Sequence, residues 1–188
     1  MEIKMAKSIN LPALAEIRFY FIMRGVFHKN FANLPTEEII KAIEENLLTK
    51  YPNRWLILYK LAMFYEEVGR YADSIILLGR CVELEPEELR SIFKLAFVYY
   101  RLTQAETNQD VAQAINRTFS IDDRRVKLDP NHAKSELKIM GLTSEEAGKN
   151  AIKYFRNALS LDPDDQGRAE IQSILNTLHD RFPTIPID

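Results

Sequence analysis

A pattern of small and apolar residues recurs in this chain with a period of 34 residues. Four residues at helical spacing are each matched in class by a residue 34 positions later: Leu58 by Ile92, Leu61 by Leu95, Ala62 by Ala96 and Tyr65 by Tyr99. Spacings of three and four residues place each set on one face of a helix. A repeat of this length indicates pairs of helices that bury their apolar faces by stacking on one another. The pattern therefore predicts an all-α repeat protein.

The stretch from Leu58 to Pro86 resembles a tetratricopeptide repeat almost position for position. Gly69 separates two helical sets, the second of which comprises Tyr71, Ser74, Ile75, Leu78, Cys81 and Leu84. The resemblance implies a right-handed superhelix of antiparallel helix pairs, in which the first helix of each repeat lines a concave groove. It also implies a binding function, but the partner is selected by side chains outside the signature.

The repeat pattern divides one predicted domain, residues 1–188, into four parts. We expect a degenerate helical hairpin over 10–52, an intact repeat over 53–86, an interrupted repeat over 87–163 and a capping helix over 164–182. The hairpin lacks the small residues that allow repeat helices to approach closely. Within the intact repeat, helices are predicted over about 54–68 and 71–84.

The second half of the interrupted repeat is displaced along the chain. Seven residues match the intact repeat at a constant offset of 77: Ala151, Ile152, Phe155, Ala158, Leu161, Asp162 and Pro163 correspond to Ser74, Ile75, Leu78, Cys81, Leu84, Glu85 and Pro86. This offset exceeds one period by 43 residues, which predicts an insertion over about 104–146. The alternative is that Leu128-Asp129-Pro130 ends another repeat. It is disfavoured because Thr118, Asp122, Arg125, Ser135 and Lys138 would then occupy small or apolar positions.

Local signals predict further structure inside the insertion. Residues 110–119 are expected to prolong the preceding helix, and 122–125 to form an exposed turn. Asp129-Pro130 opens a short helix that ends at Gly141. Thr143 and Glu146 have the spacing of a capping box.

The outward side chains of the two first helices form the predicted binding surface, here called the groove face. The resemblance assigns to it Leu56, Tyr59, Lys60, Met63, Arg90, Phe93, Lys94, Phe97 and Tyr100. Contiguous apolar surface usually marks an interaction site. We expect an amphipathic helix or short linear motif as partner, with an acidic residue opposite Lys60, Lys94 or Arg90. In the alternative, the N-terminal hairpin or the insertion fills the groove.

The charge of the chain argues against a general polyanion binder. The net charge is -2, and nucleic-acid-binding domains usually carry a clear basic excess. One cation-rich stretch lies in the insertion and comprises Arg124, Arg125, Lys127, Lys134 and Lys138. It indicates either a phosphate, acidic-peptide or RNA contact or a solvated loop balanced by neighbouring aspartates.

The sequence shows no catalytic, metal-binding or cofactor-binding motif. Cys81 occupies a small-residue position and is expected to pack as a small hydrophobe. His28, His132 and His179 have no ligand partners at metal-site spacing, and the glycines form no phosphate loop. Paired glutamates such as Glu66-Glu67 are interpreted as solvated helix faces or helix N-terminal charges.

No apolar run reaches the length of about 20 residues that a membrane span needs, and a cytoplasmic location is expected. These observations predict a non-catalytic adaptor or complex subunit that binds a peptide or helix in its groove. The alternatives are an assembly factor or dedicated chaperone that shields a client segment, and a nucleic-acid-associated subunit that uses the basic insertion. Neither the partner nor the oligomeric state follows from the sequence.

Overall fold

Helices form every regular element in the part of the chain that the computed structural model describes, residues 44–107 and 130–185. The chain separates into two units, Met1–Ile57 and Leu58–Asp188. Of the first unit, only 44–57 is described. Within it, Glu44–Leu48 form one turn of π-helix at the end of the predicted N-terminal hairpin. The remainder of that hairpin and the predictions for residues 110–119 and 122–125 lie outside the described residues.

The described helices follow the sequence pattern closely. Helix α1 spans Trp55–Glu67, α2 Tyr71–Leu84, α3 Leu89–Leu102, α4 Pro130–Met140, α5 Ser144–Ser160 and α6 Asp165–Arg181, and a 3₁₀ helix over Thr103–Glu106 follows α3. The helix ends predicted at about 54–68 and 71–84, and those of the terminal helix, agree with the observed ends within one residue. The all-α prediction is likewise confirmed over these ranges. None of their helices combines the length and apolar character needed to cross a bilayer.

The α1–α2 turn depends on Gly69. Its φ of 86° lies in the left-handed region, which glycine adopts without a steric penalty. Across the helix pair, the Ser74 hydroxyl donates to the Ala62 carbonyl oxygen at 2.8 Å. Both residues are fully buried, and their small side chains let the two helices approach closely enough for this hydrogen bond.

A continuous apolar core joins α3, α5 and α6. Ile92 and Ala96 of α3 belong to one buried cluster with residues of the other two helices, which are Ala151, Ile152, Phe155, Ala158, Ile171, Leu175 and Leu178. Helix α3 therefore packs against α5, although the sequence between them contains the whole insertion. The division of the chain into repeats stays a prediction that this packing supports.

The local signals in the described part of the insertion are confirmed. Helix α4 begins at Pro130 and ends at Met140, and Gly141 adopts a φ of 64°. The Thr143 hydroxyl accepts from the Glu146 N–H, and the Glu146 carboxylate accepts from the Thr143 N–H, which completes the capping box of α5.

Cys81 is a packing residue, as predicted. Its side chain is fully buried within α2. Burial raises the pKa of its thiol from 9.0 to about 12, and a hydrogen bond with Ser91 opposes that change in part. The thiolate needed for nucleophilic chemistry is therefore strongly disfavoured at neutral pH.

Candidate protein-binding face

The groove face is largely shielded from solvent. Arg90 is exposed, whereas the other eight residues assigned to the face are partly buried. Leu56 lies in the first unit and is described only by its own burial. The remaining members lie on α1 and α3 within the second unit.

The aromatic residues of α3 form a connected row of rings. Phe93 stacks on Phe97 with a centroid distance of 6.3 Å, and Phe97 lies 6.1 Å from Tyr100. Phe93 also meets Phe155 of α5 edge-on at 5.7 Å. The row is therefore anchored at one end in the core and extends from there along α3. We call Phe93, Phe97 and Tyr100 the aromatic row.

Charged and aromatic groups bring α1 and α3 together at one end of the face. Burial raises the pKa of Tyr59, and the charge of Arg90 lowers it in part, which identifies the two as electrostatic neighbours. Arg90 is held by Glu88, whose carboxylate accepts from the guanidinium Nε at 2.7 Å. Lys60 lies 5.8 Å from the centroid of the Tyr59 ring. Lys60 and Arg90, two of the predicted cations, therefore have neighbours of π character or opposite charge within the chain, and the third, Lys94, is described next.

At the other end, a buried glutamate joins the two helices. Glu66 forms an ion pair with Lys94, and its second oxygen lies 3.3 Å from Arg101 Nε. Glu66 is only 4% exposed, so its interpretation as part of a solvated helix face is wrong. The physical reason is that Glu66 follows Tyr59 and Met63 at helical spacing and shares the face that they occupy. Its charge is tolerated there because two cations face it.

The same two cations flank the aromatic row. Lys94 Nζ lies 5.5 Å and Arg101 Cζ 5.2 Å from the centroid of Phe97. Cations at such distances are attracted to the ring face. Arg101 is 8% exposed, and the Lys94 side chain retains 20% of its surface. We call Glu66, Lys94 and Arg101 the charge triad.

Sequence reasoning missed two members of this triad, Glu66 and Arg101. A signal was present for each of them. Arg101 follows Phe97 by four residues, so it continues the same helix face, and Glu66 follows Met63 by three. Because both side chains are charged, the sequence predicts that they face solvent. Their spacing along the helix, however, places them on the groove face.

Helix α4 of the insertion is attached to the α1–α2 turn. A His132 ring nitrogen, Nε2, hydrogen-bonds the Gly69 carbonyl oxygen, and the ring meets Tyr71 edge-on at 5.4 Å. The Glu136 carboxylate accepts from the Ala72 N–H at 2.8 Å. His132, without a motif in the sequence, therefore has a packing and hydrogen-bonding role.

The predicted basic patch is described only in part. Lys134 and Lys138 are exposed on α4, one helical turn apart. Arg124, Arg125 and Lys127 lie outside the described residues. Over the described ranges, no group of three histidine, cysteine, aspartate or glutamate residues is placed to hold a metal ion.

Two segments of the chain match a known family profile. The tetratricopeptide-repeat family profile matches residues 57–88 and 149–165. The first match contains α2 and most of α1, and the second contains most of α5. No curated protein matches the sequence. A solved structure of a MamA RS-1 ArsTM double mutant is similar over 93% of this chain and 98% of its own, with 16% sequence identity and a TM-score of 0.40.

Proposed function

We propose that this chain, which carries tetratricopeptide repeats, is a non-catalytic adaptor or complex subunit that binds a peptide or helix on its groove face. The observation that carries the proposal is the aromatic row, which lies on α3 between the core contact of Phe93 and the charge triad. Aromatic rings supply large contact area at low entropic cost, and this makes them effective anchors for a partner.

The aromatic row alone contributes too little binding free energy for a stable complex. Its rings are already partly buried, so covering the remaining surface of each contributes roughly 1 kcal/mol. Three such rings do not offset the entropy lost on association. A stable complex therefore requires further contacts on α1, where Tyr59 and Met63 also have partly buried side chains. This favours a partner that spans both helices, such as an amphipathic helix or an extended segment with several apolar anchors.

The charge triad favours an acidic residue in that partner. Two cations share the single carboxylate of Glu66, and Lys94 retains some surface. A carboxylate from the partner would pair with the Lys94 ammonium in a partly desolvated setting, where ion pairs are screened less than at an open surface. Arg90 is a weaker candidate because it is exposed and already held by Glu88.

The test combines two substitutions at partly buried positions, one on each helix of the groove face. Met63→Glu with Tyr100→Glu places charge on both helices of the groove face. Ile76→Glu is the matched control, because Ile76 is 63% exposed on α2. Affinity capture followed by mass spectrometry should recover a partner with the wild-type chain and with the control, and lose it with the double variant.

Circular dichroism must show equal helix content in all three proteins. Retention of the same partner by the double variant would remove the groove face from the proposal. An assembly factor would use the same surface, and it is distinguished by a client that becomes insoluble when this protein is omitted from co-expression.

A further inference from the structure

We propose that Gln104, Thr107 and Arg181 form a binding site for a carboxylate at the end of α3. None of the three belongs to the groove face, so this site is separate from the one proposed above and does not depend on partner binding there. Gln104 lies in the 3₁₀ helix at which the 34-residue pattern stops, Thr107 follows that helix, and Arg181 is the last residue of α6. Side chains from two distant parts of the chain therefore meet at this place.

Among the described residues, only neutral oxygens hold Arg181 in place. Its Nη1 group donates to the Thr103 carbonyl oxygen at 2.6 Å and lies 3.4 Å from the hydroxyl of the same residue. Its Nη2 group donates to the Thr107 hydroxyl at 3.1 Å and lies 3.5 Å from the Gln104 side-chain oxygen. Over residues 44–107 and 130–185, no carboxylate forms an ion pair with this guanidinium. Arg181 is partly buried, so an anion beside it would be screened less than at an open surface.

Three N–H donors beside these contacts have no acceptor in the part of the chain that the structure describes. One is the Nε–H group of Arg181, and two belong to the side-chain nitrogen of Gln104. The Gln104 oxygen accepts from the Thr107 hydroxyl at 3.0 Å, which fixes the orientation of the amide. Gln104 is only 6% exposed, and buried polar groups of this kind almost always have a hydrogen-bond partner. Neither nitrogen is completely enclosed, so a ligand can reach both and supply the acceptor.

A carboxylate matches these donors in charge and in shape. Its two oxygens can accept from an amide and from the guanidinium edge that Nε and Nη2 form, which is the edge that binds carboxylates in pairs of hydrogen bonds. Its single negative charge balances one arginine. A phosphate dianion fits less well, because Glu145 and Glu146 lie in the first turn of α5. That helix begins close to the site, since the Ser144 hydroxyl donates to the Thr103 carbonyl as well.

The test measures binding at Arg181 directly, with acetate as the probe. Heteronuclear NMR follows the Arg181 Nε–H group and the Thr107 backbone N–H while acetate replaces chloride at constant ionic strength and pH 7. Both signals should shift and reach saturation. Arg168, which pairs with Asp162 in an exposed setting, is the internal control, and its Nε–H signal should show no saturating shift.

Gln104→Leu removes the amide and keeps a side chain of similar size. It should weaken acetate binding about fivefold, the ratio to which one lost hydrogen bond of ordinary strength corresponds. Gln172→Leu, the same change at an exposed position on α6, is the matched control and should leave binding unchanged. Arg181→Lys covers the case in which Gln104→Leu fails to fold. It keeps the positive charge but removes the planar guanidinium, and the Thr107 signal should report binding weakened by at least the same factor.

A linear response of Arg181 that matches the response of Arg168 overturns the inference, and so does a folded Gln104→Leu variant that binds acetate as tightly as the wild type. Inorganic phosphate is the comparison ion, and tighter binding of phosphate than of acetate would contradict the assignment of a carboxylate. N-acetylalanine and N-acetylaspartate amide distinguish a C-terminal carboxylate from a side-chain carboxylate, and the tighter of the two identifies the source.

Discussion

The Arg181 guanidinium donates to the Thr103 carbonyl oxygen at 2.6 Å and so joins the last turn of α6 to the end of α3. The same guanidinium reaches the Thr107 hydroxyl at 3.1 Å. Thr103 is fully buried, and its carbonyl also accepts from Ser144 at the start of α5. The Thr103 carbonyl therefore joins the end of α6, through Arg181, to the start of α5, through Ser144. The last carbonyls of a helix have no partner within their own helix, and these contacts supply one.

Replacement of Arg181 by alanine is expected to lower the free energy of unfolding by roughly 1–3 kcal/mol, because it removes a charged donor from a buried carbonyl. Urea denaturation followed by circular dichroism measures the change. Arg168→Ala is the control: Arg168 pairs with Asp162 in an exposed setting, and its loss should change stability by less than about 0.5 kcal/mol. Equal effects of the two substitutions would contradict the closing role of Arg181.

Glu66→Ala is expected to destabilise the fold more severely, by roughly 3–5 kcal/mol, because Lys94 and Arg101 would lose the carboxylate that they share. The matched control is Glu145→Ala, which removes an exposed carboxylate paired with Lys149. Thermal unfolding of the two variants should separate them clearly. A Glu66→Ala variant as stable as the control would mean that the triad does not hold α1 to α3.

Alanine substitutions at two glycines should change the stability of the protein in opposite directions. Gly69→Ala should destabilise the protein, since position 69 has a φ of 86° and no room for a Cβ beside His132. Gly79→Ala should stabilise it by about 0.5–1 kcal/mol, since Gly79 lies inside α2 with nothing within 4 Å of a new Cβ. Thermal unfolding checks both predictions: the melting temperature of Gly69→Ala should lie below that of the wild type, and that of Gly79→Ala above it.

The Cys81 thiol should resist alkylation by iodoacetamide at pH 8 in the folded protein and react once the chain is unfolded. Its pKa is raised from 9.0 to about 12, so the folded state keeps the proton where the unfolded state loses it. The stability that Cys81 contributes is therefore complete below pH 9 and falls as the pH rises toward 12. Cys81→Ala should weaken this alkaline loss, as measured by unfolding at pH 7 and pH 10. Rapid alkylation of the native protein would be evidence against the packing role.

Features carried by neighbouring residues were predictable from the sequence. The capping box of Thr143 and Glu146, the turn at Gly69 and the helix bounds all follow from residues within one or two turns of each other. The all-α fold follows as well, because the 34-residue period repeats the same local pattern.

Contacts between distant segments were not predictable in the same way. Glu136 meets Ala72 across 64 residues, and Arg181 meets Thr103 across 78. A charged residue has the same local signal whether it faces solvent or a buried partner, and only the assembled fold distinguishes the two. The sequence therefore predicts a solvated face for Glu66, whereas the groove residues lie on α1 and α3 and stay a prediction as a binding site.

The hydrogen bond between Ser144 and Thr103 spans 41 residues and brings the two ends of the inserted segment to a single point. The entropic cost of closing a flexible loop grows only with the logarithm of its length, about 0.6 kcal/mol for each doubling. Added residues in the part of the segment that precedes α4 therefore raise the entropic cost of this closure only slightly, provided that α4 keeps its contacts with α2. Changes in the length of the inserted segment should therefore be tolerated before α4 and not within it.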